Sequence, residues 1–483
     1  MTVSNRIFTR ENINPNVLAT KFSVRGPIVV RADEIDRNNK NNGVGPDVLF
    51  CNHGNPQELG QKPITFFRNV LSLCTSPELI SCEGLRGLFK EDVFERAKQI
   101  LSYVPGGQTG SYTHTQGIYT IRQKVADFIV SRDKLPYKVA PENIFLCDGA
   151  SPAIQHCLKL LVKNDRSGIM TPVPQYPLYS GTIQSLGGHL VGYNLDEDQG
   201  WSLSASELER SYAEAESKGI DIRALVVINP GNPTGRVLPK ESLIEVIEFC
   251  AKRGVILLAD EVYQQNVYGT RPFISFTGVV EELKLTESFE MISFHSCSKG
   301  FLGECGRRGG YMHLSPAISR EAIDELYKMC SIALCSNVDG QVMVDLMVDP
   351  PKVGDASYEQ YVEERDAIVS ALKRKAKKLV LSFGELKGVT CQESEGAMYA
   401  YPKITVPQKA VLVANERGVA ADAFYCMELL ETTGVCVVPG SGFGQKDGTF
   451  HFRTTFLLPE DRIDSVTSRI KNFHQDFLEK YSD

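Results

Sequence analysis

Apolar positions along the chain change rhythm more than once, and each change predicts a different kind of element. Residues 64–75 and 90–102 carry apolar side chains at helical spacing, and a third helix is expected from about Ile118 to Val130. From about residue 141 strands and helices alternate. Ile144-Phe145-Leu146, Ala224 to Ile228, Val255 to Ala259 and Met291 to Phe294 read as short strands. Glu241 to Lys252 reads as a helix, and Ser151-Pro152 as the start of a helix from Ala153 to Val162, with Ser151 as its N-cap. These strand runs are continuously apolar rather than alternating, which suits strands covered on both faces. An α/β domain with a mainly parallel sheet is therefore expected over residues 101–345.

Beyond Pro350-Pro351 the pattern becomes α+β. A long helix (Tyr358 to Phe383) precedes short strands near Val389 and at Met398-Tyr399-Ala400. A helix from Ala420 to Thr432 leads into a strand, Val435 to Val438; His451-Phe452-Arg453 is strand-like and a last helix starts near Glu460. A smaller domain is expected over 346–483, joined by part of an N-terminal arm, 1–100. Within the polar first 50 residues, Ile28-Val29-Val30-Arg31 reads as a strand.

Composition narrows the function. A net charge of −7 argues against a nucleic-acid surface. The 13 cysteines include no Cys-x-x-Cys pair, so reduced thiols fit better than a disulfide framework or a zinc site, and no metal is expected. No apolar run reaches bilayer length and no membrane partner is expected.

Chemistry concentrates at turns that follow strands, where open α/β sheets bind ligands. Lys299, in Ser296-Cys297-Ser298-Lys299, reads as an amine that forms an imine with an aldehyde cofactor; taken alone it would be a solvated loop lysine. Asp148-Gly149-Ala150-Ser151 forms a strand–turn–helix start, an anion cradle or an ordinary capped helix. Tyr176, flanked by Pro174 and Pro177, stacks on a flat ring or packs in the core. Asn232 lies in the turn Asn229 to Gly235, which a plain loop also explains. Asp260 ends a strand, as the partner of a protonated pyridine nitrogen or as a helix N-cap, with Tyr263 one turn on. Arg308, beside Arg307, suits a phosphate, and spacing does not say which of the two points inward. Arg453 meets either a substrate carboxylate or a structural ion-pair partner.

In this order these residues resemble the pyridoxal-phosphate aminotransferases of fold type I, class I/II. The motifs are Asn229-Pro230-Gly231-Asn232-Pro233-Thr234-Gly235, Asp260-x-x-Tyr263, Ser296-x-Ser298-Lys299, Gly306-Arg307-Arg308-Gly309-Gly310-Tyr311 and Phe452-Arg453. Within the group the chain is most similar to the alanine aminotransferases, on Glu11 to Val17, Gly54 to Gly60 and Ser298 to Gly306. The resemblance implies a seven-stranded large domain, pyridoxal 5′-phosphate as cofactor, small amino acids and 2-oxo acids as substrates, and ping-pong transfer from L-alanine to 2-oxoglutarate.

It further implies Lys299 as the aldimine lysine, Asp260 at the pyridine nitrogen, and Asn232 and Tyr263 at the ring hydroxyl. Tyr176 is the stacking ring. Gly149, Ala150, Ser151, Ser296, Ser298 and Arg308 are the phosphate shell, Arg453 is the carboxylate clamp and Gly54 a backbone contact. Tyr112 reaches the phosphate of a second subunit, so a homodimer is implied. One departure is Arg307, where relatives carry an aromatic residue. The first similar segment begins near Met1, which favours a cytoplasmic form over a mitochondrial one. Glutamate:glyoxylate aminotransferase, a lyase on the same scaffold and a non-catalytic regulator are the competing readings. Gly440 to Gly444 follows a strand without a helix after it, which sets a dinucleotide site aside.

Overall fold

The β-branched run Ile28-Val29-Val30 forms a helix, not the expected strand. In the computed structural model, which describes residues 7–20, 26–43 and 45–482, a short helix, α1 (Pro15–Ala19), precedes α2 (Pro27–Asn42). Pro27 occupies the first turn of α2 and Gly43 closes it in the left-handed region. Ile28, Ala32 and Ile35 recur at helical spacing and are buried, so tertiary burial overrides local strand preference. The next strand, β1 (Leu49–Phe50), pairs in parallel with a strand almost at the other end of the chain.

Helices α3 (Thr65–Thr75), α4 (Glu91–Tyr103) and α5 (Tyr119–Asp133) fall where periodicity put them. The sheet follows: β2 (Ile144–Cys147), β3 (Ser167–Val173), β4 (His189–Asn194), β5 (Asp221–Ile228), β6 (Ile256–Asp260), β7 (Met291–Ser296) and β8 (Gly310–Leu314). Its order is β2-β8-β7-β6-β5-β3-β4, and β8 alone runs against the other six. The continuous apolar runs are explained by their two covered faces. Ala224, Val226 and Ile228 of β5 enter one core with Ile154 and Leu158, while Leu225 and Val227 enter the opposite core with Leu243 and Val246.

One expected boundary moves. The helix after β2, α6 (Ala150–Leu161), begins with Ala150 and is capped by Gly149, so Ser151 lies inside its first turn and is not the N-cap. Gly149 has φ 87°, and a Cβ there would lie 2.6 Å from Arg308 Nη2, so glycine alone fits. After β3, α7 (Pro177–Ser185) starts directly behind Tyr176.

The C-terminal part contains the helix Tyr358–Gly384 and the short strands β9 (Val389–Thr390), β10 (Tyr399–Ala400), β11 (Lys403–Ile404), β12 (Val435–Cys436), β13 (Val438–Pro439) and β14 (Phe452–Thr455). The single strand expected over Val435 to Val438 is broken at Val437. β14 lies between β10 and β13, antiparallel to both. Core side chains of α2 and β1 (Val29, Ala32, Leu49) cluster with this part, among them Leu379, Phe424 and Phe473. Those of α3 and α4 join α5 and the helix Val338–Val348. The N-terminal 100 residues thus contribute to two cores.

Candidate active site

The ends of five sheet strands (β2, β3, β5, β6 and β7) and the strand β14 converge on a cavity of about 440 Å³. It is lined by Ala150, Ser151, Tyr176, Asn232, Asp260, Tyr263, Ser296, Ser298, Lys299, Arg308, Arg453 and Gly54, all expected from the sequence. A larger cleft of about 660 Å³ lies around Trp201, Glu197 and His451 and takes none of them. The parallel register explains the convergence. Asp260 pairs with Phe294 and with Ile228, so the turns after β5, β6 and β7 leave the sheet side by side.

Lys299 follows β7. Its Nζ donates to the carbonyl of Gly54 at 2.7 Å. Burial depresses the ammonium, but Tyr399, Cys305 and Tyr176 outweigh that and leave its pKa raised. The solvated-lysine alternative does not hold, because the amine lies inside the cavity.

Asp260 is 4 % exposed and no helix starts behind it, so it is not an N-cap. Its carboxylate accepts from Tyr179 Oη at 2.9 Å and from the Val262 N–H at 3.4 Å. Burial pushes its pKa up to about 6, against the two hydrogen bonds, and no cation offsets it among the described residues. Such a group is held at a cost until a positive charge arrives.

Arg453 presents the opposite case. It is 1 % exposed and no carboxylate pairs with it among the described residues. Its Nη1 donates to Asn232 Oδ1 at 3.0 Å and its Nη2 to the carbonyl of Asn52, while Nε has no hydrogen-bond partner. The rings of Tyr399 and Phe443 lie 4.0 and 4.6 Å from the guanidinium carbon. A planar cation enclosed in this way, with an N–H to spare, suits a carboxylate.

At the far end, α6 points its amino terminus into the cavity without a side-chain cap. Of the two neighbouring arginines, Arg308 is the one that lines it. Its Nη2 donates to the Asp148 carbonyl at 2.7 Å and its Nη1 to Ser298 Oγ at 3.4 Å. Free helix N–H groups, the hydroxyls of Ser151, Ser296 and Ser298 and a guanidinium make an anion cradle. Asn232 Oδ1 is turned to Arg453, which leaves its amide nitrogen as the donor on the cavity side. Tyr263 Oη lies 3.3 Å from Tyr399 Oη.

Tyr112 is not in the cavity; it is 75 % exposed. Tyr179, Tyr399, His53 and Cys305 are at the site without having been expected. Tyr179 left a signal, since it lies three residues past Tyr176 at the start of a helix and so shares its face. Tyr399 left none, being one apolar position in a two-residue strand.

These residues fit pyridoxal 5′-phosphate by their donor chemistry. The cradle suits a phosphate, the uncompensated Asp260 a ring cation and Lys299 an aldehyde. Among the described residues no cluster suits a metal ion.

A profile of the family "Aminotransferase class I and II" matches residues 86–470. A probable mitochondrial alanine aminotransferase of Dictyostelium discoideum is 51% identical, covering 98% of this chain and 90% of its own. Glutamate–glyoxylate aminotransferase 2 of Arabidopsis thaliana is 44% identical over 98% of this chain and 97% of its own. The solved alanine aminotransferase of Pyrococcus furiosus shares the fold, with a TM-score of 0.76 at 20% identity over 96% of this chain and all of that one (100%). With sequence profile, full-length relatives and cavity in agreement, the chain belongs to the aminotransferase class I and II family and is a pyridoxal-phosphate-dependent aminotransferase.

Proposed function

We propose that the chain transfers the amino group of L-alanine to 2-oxoglutarate, yielding pyruvate and L-glutamate, by ping-pong kinetics. The observation that carries this reading is one cavity holding a buried amine, a buried carboxylate without a cation and a buried guanidinium without an anion. The 51% identity to a protein named an alanine aminotransferase supports alanine as the donor.

Bound pyridoxal 5′-phosphate supplies an aldehyde that accepts the amino group and a ring that withdraws electrons from the substrate. Ala150, Ser151, Ser296, Ser298 and Arg308 would hold its phosphate, with Gly149 giving the close turn. Tyr176 would stack on the ring, Asn232 and Tyr263 would donate to its hydroxyl, and Asp260 would take its nitrogen. Arg453 grips the substrate carboxylate and so fixes the orientation of Cα. Lys299 would take the proton from the substrate Cα as general base and, as general acid, deliver it to the cofactor carbon that gains the amino group rather than back to Cα. Tyr179, donating to Asp260, favours the ionised carboxylate that the ring cation needs.

A homodimer is part of the proposal, with Tyr112 reaching a second subunit's phosphate. Support comes from the exposed side chains of Tyr112, Ile332 and Leu334, on loops that the Thr115 Oγ1 to Leu334 carbonyl bond holds together. Residues 101–345 would form the large domain, and most of 346–483 with α2 and β1 the smaller. Among the described residues no helix is long and apolar enough to cross a membrane. A cytoplasmic location is proposed, with the mitochondrion as alternative; cell fractionation separates them.

The 44% identity to a glutamate–glyoxylate aminotransferase favours a second reading, with glyoxylate as acceptor. A substrate panel on the purified enzyme tests both. The expected result is continued pyruvate formation from alanine only when 2-oxoglutarate is present, with no more than one equivalent per site released without it. Preference for glyoxylate selects the second reading, and turnover without any oxo acid makes the chain a lyase.

A further inference from the structure

Tyr399 stands at the substrate end of the cavity, 3 % exposed. Three contacts fix it. Its ring lies against the Arg453 guanidinium at 4.0 Å. Its Oη lies 3.3 Å from Tyr263 Oη; with the Tyr263 proton given to the cofactor hydroxyl, the Tyr399 proton goes to the stronger acceptor, a substrate carboxylate. The third contact is with Gly54. A Cβ built there would lie 2.4 Å from Tyr399 Oη and 3.3 Å from Lys299 Nζ. Gly54 does not have a left-handed φ, so its backbone would accept alanine; the hydroxyl of Tyr399 is the atom that most opposes a side chain, with the ring carbon Cζ next at 3.1 Å. The ring thus faces the guanidinium of Arg453, and the hydroxyl lies beside Gly54, where the amine of Lys299 also comes close.

We propose that Tyr399 is a catalytic residue at the carboxylate end of the substrate: its hydroxyl donates to the carboxylate that Arg453 grips, and its ring sets the plane of that guanidinium. The inference rests on the reading of Arg453 as the clamp. Burial alone pushes the phenol up, but the charges of Lys299 and Arg453 outweigh it and draw its pKa below the ordinary value. A more acidic phenol is a better donor to an anion.

The test uses holoenzyme and propionate, which is alanine without its amino group, as a competitive inhibitor. Tyr399→Phe keeps the ring and removes the hydroxyl. The expected result is a rise of about tenfold in the inhibition constant and in the KM for alanine, the worth of one hydrogen bond to a charged group. kcat should change less, because the carboxylate is held in both ground and transition states. Arg453→Ala should abolish propionate binding. If Arg453→Ala leaves propionate inhibition intact, the clamp reading falls and takes this inference with it. If Arg453→Ala abolishes it while Tyr399→Phe changes nothing, only the role of Tyr399 falls.

A second measurement needs no cofactor. Gly54→Ala should lower the Tm of the cofactor-free protein, and Tyr399→Phe in the same chain should restore most of the loss. Purely additive effects would mean that the hydroxyl does not fill the space beside Gly54.

Discussion

Asp260 ends β6 and Lys299 follows the adjacent parallel strand β7 of the seven-stranded sheet, whereas Arg453 and Tyr399 stand on paired antiparallel strands of the C-terminal part. The first region leaves a carboxylate without a cation, and its pKa rises to about 6. The second leaves a guanidinium without an anion, enclosed by two rings. In the proposed reading each region carries half of an ion pair whose other half is a ligand. The difference lies in support. The sheet end is held by backbone register, with both strand faces buried, while the C-terminal end is held by side chains touching one another across short strands. Substitutions at the sheet end should remove chemistry with little change in carboxylate binding, and substitutions at the other end should do the reverse.

The largest effect should come from Lys299→Ala. Its turnover should fall by roughly 10⁴-fold or more, since no other amine lines the cavity among the described residues. Propionate should still bind. A variant that keeps turnover within tenfold of the parent would break the division between the two ends.

Asp260→Asn comes next, and the cofactor-free protein shows it most cleanly. The folded carboxyl has its pKa raised from 3.8 to about 6, so the folded state holds the proton more tightly than the unfolded chain. Its stabilising contribution is complete below about pH 4 and is lost as pH rises to about 6, a change on the order of 3 kcal/mol. The urea midpoint of the parent should therefore drop relative to that of Asp260→Asn across this window. Parallel pH profiles would show that burial of the carboxylate is not costly. With cofactor bound, the ring cation should remove the difference, and Asp260→Asn should lose most activity.

The smallest effect is expected at Tyr176, which lines the cavity from the sheet end without a charge. Tyr176→Leu should weaken cofactor affinity by about three- to tenfold, the worth of one aromatic stack, with kcat of the saturated enzyme near the parent value. Cofactor titration by absorbance measures it, and unchanged affinity would mean that the ring packs only on protein.

The sheet end was legible because each of its groups follows an apolar run. Strand, turn and polar residue appear in chain order, so Asp260, Asn232 and Lys299 could be found without knowing their distances. The N-cap reading of Ser151 failed by two residues, since Gly149 with its φ of 87° takes that position and Arg308 fills the space its side chain would need. Ile28 to Val30 misled for another reason. Three β-branched residues look like a strand, and only the burial of Ile28 and Val29 against the C-terminal core, with Val30 left exposed, makes the run helical.

By itself the sequence determined the alternation of elements, the sheet with two covered faces and the order of polar residues behind its strands, because these follow from local periodicity and turn chemistry. The tertiary structure alone decided that Arg308 rather than Arg307 faces the cavity and that Tyr399 fills the space beside Gly54. These are contacts between residues far apart in the chain. Their geometry is set by strand pairing and packing, and no spacing along the chain records it.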